Sequence, residues 1–152
     1  MDNTREFTIS VLKDLIQNCM EEQSLFKKAS KRITDPKLLL TIKNYLEEKA
    51  ISINKLKREI KRLGGNLNNL EGEPDTSDNS KDITTDYDDE RILLECVNKD
   101  VMILDRYSNA IKEEILWEVI PLVAKQYFES QNMHENLMLS FGNYQHLQYN
   151  IT

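Results

Sequence analysis

The sequence predicts an all-α protein, a four-helix bundle made of two antiparallel helical hairpins. Apolar residues recur at steps of three and four along four stretches, which is the pattern of a helix with one buried face. Only four Gly and three Pro occur among 152 residues, and 30% of the residues are charged, which is typical of a helical chain. A single polar stretch separates the chain into two halves. A chain of 152 residues is long enough for one domain with a substantial core.

The first predicted helix spans residues 8–33, because the residues before it are polar. Its inward face carries one unusual member, the carboxylate of Glu22. Only Thr34 and Asp35 separate this helix from the next one, so we expect an antiparallel hairpin. The inward positions at helical spacing are Leu12, Leu15, Cys19, Glu22, Phe26, Ala29 and Ile33.

The second helix, residues 36–63, has the clearest boundaries in the chain. Asp35 is suited to accept hydrogen bonds from free N–H groups of the first turn, and Pro36 fits the first helical position. Gly64 and Gly65 supply the left-handed conformation that ends many helices. The predicted apolar stripe includes Leu39, Ile42, Leu46, Ala50 or Ile53, Leu56, Ile60 and Leu63.

Residues 66–86 are rich in Asn, Asp, Ser and Thr and predict an acidic linker without a core of its own. A helix of about 26 residues is about 39 Å long. A linker of about 20 residues extends to roughly 65 Å. We therefore expect a crossover that returns along the whole bundle, because an up-and-down connection would need only a short turn.

The second half predicts helices at 88–112 and 118–141, followed by a tail, residues 142–152, in which we find no period. Asp100 interrupts the apolar stripe of the third helix. A shift of 78 residues superimposes the two halves and places Glu22 on Asp100. The sequence therefore predicts two related hairpins with an inward carboxylate at the same level in each.

Charge and composition exclude several classes of function. A net charge of −6 argues against binding nucleic acid through phosphates. No stretch approaches the roughly 18 apolar residues of a membrane span, and the N-terminus has no signal-peptide pattern, so we expect a cytoplasmic protein. Cys19 and Cys96 have no metal-type spacing and are predicted to be buried free thiols.

Short segments spread along the chain have a recognisable pattern. They are Leu12–Leu15–Ile16, Asp35–Pro36 with Leu38, Glu48, the helix end Ile60–Gly65, the segment Ile92–Cys96 and the run from Gln126 to His134–Glu135. These segments resemble a bacterial family of small uncharacterised proteins, a domain of unknown function grouped with the ferritin-like superfamily. The resemblance covers most of the chain outside the linker and the tail, and it implies a ferritin-like bundle.

The ferritin-like resemblance raises the question of a metal centre. Di-metal bundles of this type place single carboxylates on two helices and a Glu-x-x-His pair on the other two. Glu22 and Asp100 match the single carboxylates, and Glu48 and His134 complete a candidate set of metal ligands. The set is incomplete, because Ile51 stands where a His should follow Glu48, and Glu129 lies five residues from His134, on another face of the helix.

The alternative role for the inward carboxylates is a polar layer within the bundle. Buried carboxylates need partners, and the available ones are Tyr45, Lys49, Tyr107, Gln126, Tyr127 and His134. We therefore predict a non-catalytic interaction or stress-related module that needs no cofactor and forms a homodimer or binds a protein partner. The competing hypothesis is a degenerate di-metal carboxylate protein that holds iron or manganese and acts as an oxidase or in metal storage.

Overall fold

The computed structural model describes residues 3–68, 70 and 87–150, and only the backbone of residues 143–150. This part of the chain forms four α-helices and contains no strand, so the predicted all-α four-helix bundle is confirmed. The helices are α1 (Thr4–Arg32), α2 (Pro36–Arg62), α3 (Asp89–Lys112) and α4 (Ile120–Asn150).

The first hairpin is closed at both of its ends by the predicted residues. Asp35 caps α2 by accepting a hydrogen bond from the Lys37 amide, with Pro36 at the first helical position. At the far end, the Arg5 guanidinium donates to the Leu63 carbonyl at 2.6 Å, which joins the start of α1 to the end of α2. Gly64 has a φ of 82°, the left-handed conformation that a side chain disfavours. The two helices are therefore antiparallel.

Asp89 fixes the start of α3 beside the turn between α1 and α2. Its carboxylate accepts hydrogen bonds from the Thr34 amide at 3.0 and 3.1 Å, the Thr34 hydroxyl at 2.9 Å and the Asp35 amide at 2.9 Å. The preceding residue, Asp88, caps α3 through the Arg91 amide. Two consecutive aspartates thus serve different purposes, since one caps its own helix and the other holds the neighbouring turn.

The two hairpins are connected between opposite ends of the bundle. The hydroxyl of Thr8, near the start of α1, accepts a hydrogen bond from the Leu116 amide, which places the α3–α4 connection at that end. Helix α2 ends at the same end of the bundle, whereas α3 begins at the opposite end, beside the α1–α2 turn. The acidic linker predicted for 66–86 lies outside the described residues, apart from 66–68 and 70.

Two helix ends differ from the prediction by more than two residues. Helix α1 begins at Thr4 instead of residue 8, because Arg5 is anchored on Leu63 and Thr8 is buried. Helix α4 continues to Asn150 instead of ending at residue 141, so residues 142–150 of the tail, whose conformation the sequence left open, are helical, and 151–152 lie outside the described part. A lone Gly142 lowers helix stability by only about 1 kcal/mol, and no proline follows to stop the helix.

The inward face of α2 also differs from the predicted stripe in its N-terminal half. Leu39 and Leu46 are only half-buried, whereas Leu38, Tyr45 and Lys49 are buried. The buried face of α2 is therefore shifted by one residue from the predicted stripe in this half. Tyr45 and Lys49, which contact the inward carboxyl groups, occupy positions that face the core. Leu39 and Leu46 pack against the edge of the second apolar cluster as partly buried residues.

The interior consists of two apolar clusters. One is built around Leu12, Leu56 and Ile103, and the other around Phe26, Ile42 and Leu93. None of the described helices is both long and apolar enough to cross a membrane. The clusters leave room between them for the buried polar side chains described below.

The Asp89 contacts generate a prediction about stability. We expect Asp89→Ala to lower the free energy of unfolding by about 2 kcal/mol, because the buried carboxylate is the acceptor for three donors of the α1–α2 turn. Asp88→Ala is the matched control and removes only a helix cap, with an expected loss of about 1 kcal/mol. Urea denaturation followed by circular dichroism measures both, and an equal or smaller loss in Asp89→Ala would contradict the anchoring role.

Candidate functional site

Three fully buried charged residues meet between the two apolar clusters. Glu22 comes from α1, Lys49 from α2 and Asp100 from α3, and each has a relative exposure of 0%. Each position follows from the helical period, since these residues occupy inward sites between large apolar neighbours. We refer to these three residues, with Tyr45 and His134, as the polar cluster.

Tyr45 joins the two carboxyl groups that the 78-residue repeat places at the same level. Its hydroxyl lies 2.6 Å from Oε1 of Glu22 and also forms a short hydrogen bond with Oδ1 of Asp100. A phenol carries one proton and can donate it to only one acceptor fully. The other short contact therefore needs a second proton, held by a carboxyl group that donates to the tyrosine oxygen.

Glu22 is the group that holds this second proton. Burial raises the pKa of Glu22 to about 8, against the opposing charge of Lys49, and the neighbouring Asp100 raises it further. The Glu22 carboxyl can then donate to Tyr45, and Tyr45 can donate to Asp100. With Glu22 neutral at pH 7, the charges of Lys49 and Asp100 balance.

Lys49 supplies the positive charge of the cluster. Its Nζ lies 3.3 Å from Oε1 of Glu22, and 5.3 and 5.8 Å from the ring centroids of Tyr45 and Tyr107. Burial acts to lower the pKa of Lys49, but Cys19, Glu22 and Asp100 together raise it above its ordinary value. Cys19 contributes only as a thiolate, and burial raises the pKa of that thiol, so at neutral pH the carboxyl groups hold the ammonium.

His134 connects the cluster to the edge of the bundle. Its Nδ1 lies 2.7 Å from Oδ2 of Asp100, and 18% of its side chain is exposed. Partial burial lowers the pKa of His134, so the ring is neutral at pH 7 and its Nδ1–H donates to the carboxylate. Asp100 thus accepts hydrogen bonds from α2 and α4 together, which ties the two hairpins to each other.

A second chain of hydrogen bonds lies next to the polar cluster. The Tyr107 hydroxyl donates to Oε1 of Gln126 at 2.8 Å, and Nε2 of Gln126 donates to the Ser52 carbonyl at 3.1 Å. The Cys19 sulfur lies 3.6 Å from the Tyr107 hydroxyl. Cys19 and Cys96 are both buried free thiols, as predicted. Tyr107 and Gln126 therefore partner each other and do not contact the carboxylates.

The polar cluster retains unused hydrogen-bonding capacity. Among the described residues, Oε2 of Glu22, Nζ of Lys49 and Oγ of Ser130 are buried without a hydrogen-bond partner. The 3.3 Å contact between Nζ of Lys49 and Oε1 of Glu22 therefore brings the ammonium beside the carboxyl group without the geometry of a hydrogen bond. Such groups are uncommon in native interiors, where most buried polar atoms are paired.

The candidate metal ligands are only partly brought together. Glu22, Asp100 and His134 belong to one connected cluster, whereas Glu48 is exposed and lines a groove between α2 and α4. Within the described ranges, no three His, Cys, Asp or Glu side chains are arranged to hold a metal ion. Lys49 stands beside Glu22, and a pair of divalent cations would meet that ammonium at close range. These residues do not fit a di-metal centre, although metal binding itself stays a prediction to be measured.

Tyr45 and Lys49 are partners of the inward carboxyl groups, as predicted, although the predicted apolar stripe of α2 includes neither of them. Charged residues usually lie outside, and the apolar side chains of Leu39 and Leu46 indicate a different face. The buried face of α2 follows steps of three and four through Ile42, Tyr45, Lys49, Ser52 and Leu56.

The raised pKa of Glu22 predicts how stability depends on pH. The folded protein holds a proton on Glu22 up to about pH 8, whereas the unfolded chain releases it near pH 4.5. The native state therefore binds more protons, and the free energy of unfolding falls as pH rises through this window. The lowered pKa of His134 acts in the opposite direction, but only below about pH 6.5.

We expect the wild type to lose on the order of 1 to 2 kcal/mol of unfolding free energy between pH 6.5 and 8 through Glu22. Glu22→Gln keeps the shape of the protonated acid and should remove that part of the slope. Urea titrations at several pH values measure it, and equal slopes in the two proteins would refute a protonated Glu22.

Comparison with known proteins agrees with the fold. No curated protein matches this chain. The crystal structure of a protein from Xanthomonas campestris is similar, with a TM-score of 0.77 and 16% identity over 99% of this chain and 100% of the other. At this identity the likeness shows the fold alone. A family model described as "Domain of unknown function (DUF2383)" matches residues 7–113, which span α1 to α3 and more than half of the chain. The chain therefore belongs to this family of domains of unknown function.

Proposed function

We propose that this protein is a non-catalytic cytoplasmic interaction module that self-associates through the outer face of α4. The single observation that carries the proposal is the pair Phe128 and Leu139, large apolar side chains that are 63% and 65% exposed. They are eleven residues apart, or about three turns, so they project from the same face of the helix. Exposed apolar side chains that share a face favour a partner surface.

A non-catalytic role is supported by the way the polar cluster satisfies its own charges. Lys49 gives the carboxyl groups a cation from within the chain, and Tyr45 and His134 both contact the carboxylate of Asp100. The family resemblance to ferritin-like bundles then concerns the architecture, with the lysine in the electrostatic role of a metal. Buried free thiols at Cys19 and Cys96 suit a reducing compartment such as the cytoplasm.

The outer face of α4 has the spacing of a coiled-coil seam. Six exposed residues follow one another at alternating steps of four and three, which we call the α4 stripe. A heptad spacing with apolar members favours packing against another helix. The α4 stripe consists of Pro121, Lys125, Phe128, Asn132, Glu135 and Leu139.

The α4 stripe is complementary to itself. An antiparallel pair of α4 helices, related by a twofold axis near residue 130, would place Lys125 opposite Glu135 of the second copy. The same axis would place Pro121 opposite Leu139 and Phe128 opposite Asn132. Under one symmetry operation Lys125 thus faces an opposite charge and Pro121 faces an apolar side chain, while Phe128 covers Asn132 near the axis, as an isologous contact allows. We therefore take a second copy of this chain as the partner.

Self-association can be tested by adding a charge to the α4 stripe. We expect the wild type to sediment as a dimer at micromolar concentration, and Phe128→Glu to raise the dimer dissociation constant at least about tenfold, because it buries an unpaired carboxylate. Leu40→Glu is the matched control, since Leu40 is 60% exposed but lies on α2. Analytical ultracentrifugation measures all three proteins. A monomeric wild type, or equal weakening by both substitutions, would refute the proposed interface.

A second candidate function is iron or manganese binding, because Asp100, Glu22 and His134 belong to one cluster, although among the described residues their side chains do not surround a common ion site. We expect protein expressed in metal-supplemented medium to contain iron and manganese only at background level, because Lys49 already neutralises the carboxyl groups. Lys49→Glu removes this cation and adds a ligand, and it should gain metal. Elemental analysis checks both, with a double Glu22→Ala, Asp100→Ala variant as control. About one to two ions per wild-type chain, lost in that control, would establish the metal function instead.

A further inference from the structure

A groove of about 390 Å³ lies between α2 and α4, on the side of the bundle where the two helices pack least closely. Its size is within the range of small-molecule sites. Its lining residues are Thr41, Asn44, Tyr45, Glu48, Met133, Asn136, Leu139 and Ser140.

The lining includes apolar, amide and carboxylate side chains. Met133 and Leu139 supply apolar surface from α4. Asn44 and Asn136 can both donate and accept hydrogen bonds from opposite walls. Glu48 is the single charged side chain among the lining residues, and Lys49 beside it points into the core, where it pairs with Glu22. The carboxylate of Glu48 therefore faces the groove without a cation from the lining.

We infer that this groove binds a small linear primary amine, with its ammonium group at Glu48 and its alkyl chain against Met133 and Leu139. A carboxylate and an ammonium form a charge-assisted hydrogen bond, and amide oxygens of the two asparagines can accept the remaining N–H groups. The net charge of −6 favours the approach of a cation over an anion.

The dimensions of the groove set the length of the ligand. Thr41 and Glu48 are seven residues apart on α2, a distance of about 10 Å along the helix axis. An extended chain of about six carbons matches that length, with its far end near the hydroxyls of Thr41 and Ser140. The ring of Tyr45 closes the floor, and its hydroxyl is already engaged with Glu22 and Asp100.

The amine site does not depend on the proposed dimer. Leu139 borders both the groove and the α4 stripe, but Phe128 belongs to the stripe alone. Amine binding can therefore be measured in the Phe128→Glu variant as well as in the wild type. Saturable binding to the Phe128→Glu variant is the expected result, whether or not the wild type dimerises, because that variant keeps every residue of the groove.

The experiment compares three probes of the same length and different charge: hexylamine, hexan-1-ol and hexanoate. Each is titrated at pH 7 into ¹⁵N-labelled full-length protein, and the amide shifts are followed by NMR. Hexylamine should bind saturably and shift the amides of Asn44 and Glu48 on α2 and of Asn136 and Ser140 on α4. Hexanol should bind at least about tenfold more weakly, because it lacks the charge-assisted bond, and hexanoate should not bind.

Two substitutions on α2 separate a specific site from general attraction to an acidic protein. Glu48→Gln should weaken hexylamine at least about tenfold, whereas Glu47→Gln makes the same change in net charge at an exposed position outside the groove and should have no effect. Both side chains reach the surface, so both variants should fold. The inference is overturned if hexylamine shows no saturable binding, if hexanoate binds as well as the amine, or if the two substitutions weaken the amine equally.

Discussion

The fold depends on keeping an ammonium and two carboxyl groups neutral as a set inside a low-dielectric core. Each of these charges alone would cost several kcal/mol to bury. Lys49 and Asp100 cancel each other once Glu22 holds a proton, and the Tyr45 hydroxyl accepts a hydrogen bond from Glu22 and donates one to Asp100. Since these residues come from α1, α2 and α3, charge balance holds only when all three helices are in register.

This constraint explains how the two hairpins recognise each other. The apolar clusters on either side are non-directional and would tolerate a shift of one helix along another. The polar cluster does not tolerate it, because Asp100 must reach both Tyr45 on α2 and His134 on α4. At the end of the bundle, hydrogen bonds from the α1–α2 turn to the Asp89 carboxylate fix the position of α3 a second time. The looser packing between α2 and α4 leaves one side open, where the amine site is proposed.

Local signals made much of the fold predictable. Both ends of α2 were predictable to within one residue. The signals are the cap at Asp35, the glycines after Leu63 and the apolar period of three and four. The repeat of 78 residues placed Glu22 and Asp100 at one level, and Tyr45 now joins them. The inward side of Lys49 was not predictable from a hydrophobic pattern, because its burial depends on charges from two other helices. The same limit applies to α4 beyond residue 141, where no apolar period marks the helix.

The central claim is that Lys49 occupies the electrostatic place of a metal in this bundle. A crystal structure of protein grown with iron and manganese, with anomalous data collected at both absorption edges, tests it most directly. The account predicts the Lys49 ammonium beside Glu22, at about the 3.3 Å found here, and no anomalous peak between Glu22 and Asp100. An anomalous peak bound by these carboxylates, with Lys49 turned away from them, would contradict it.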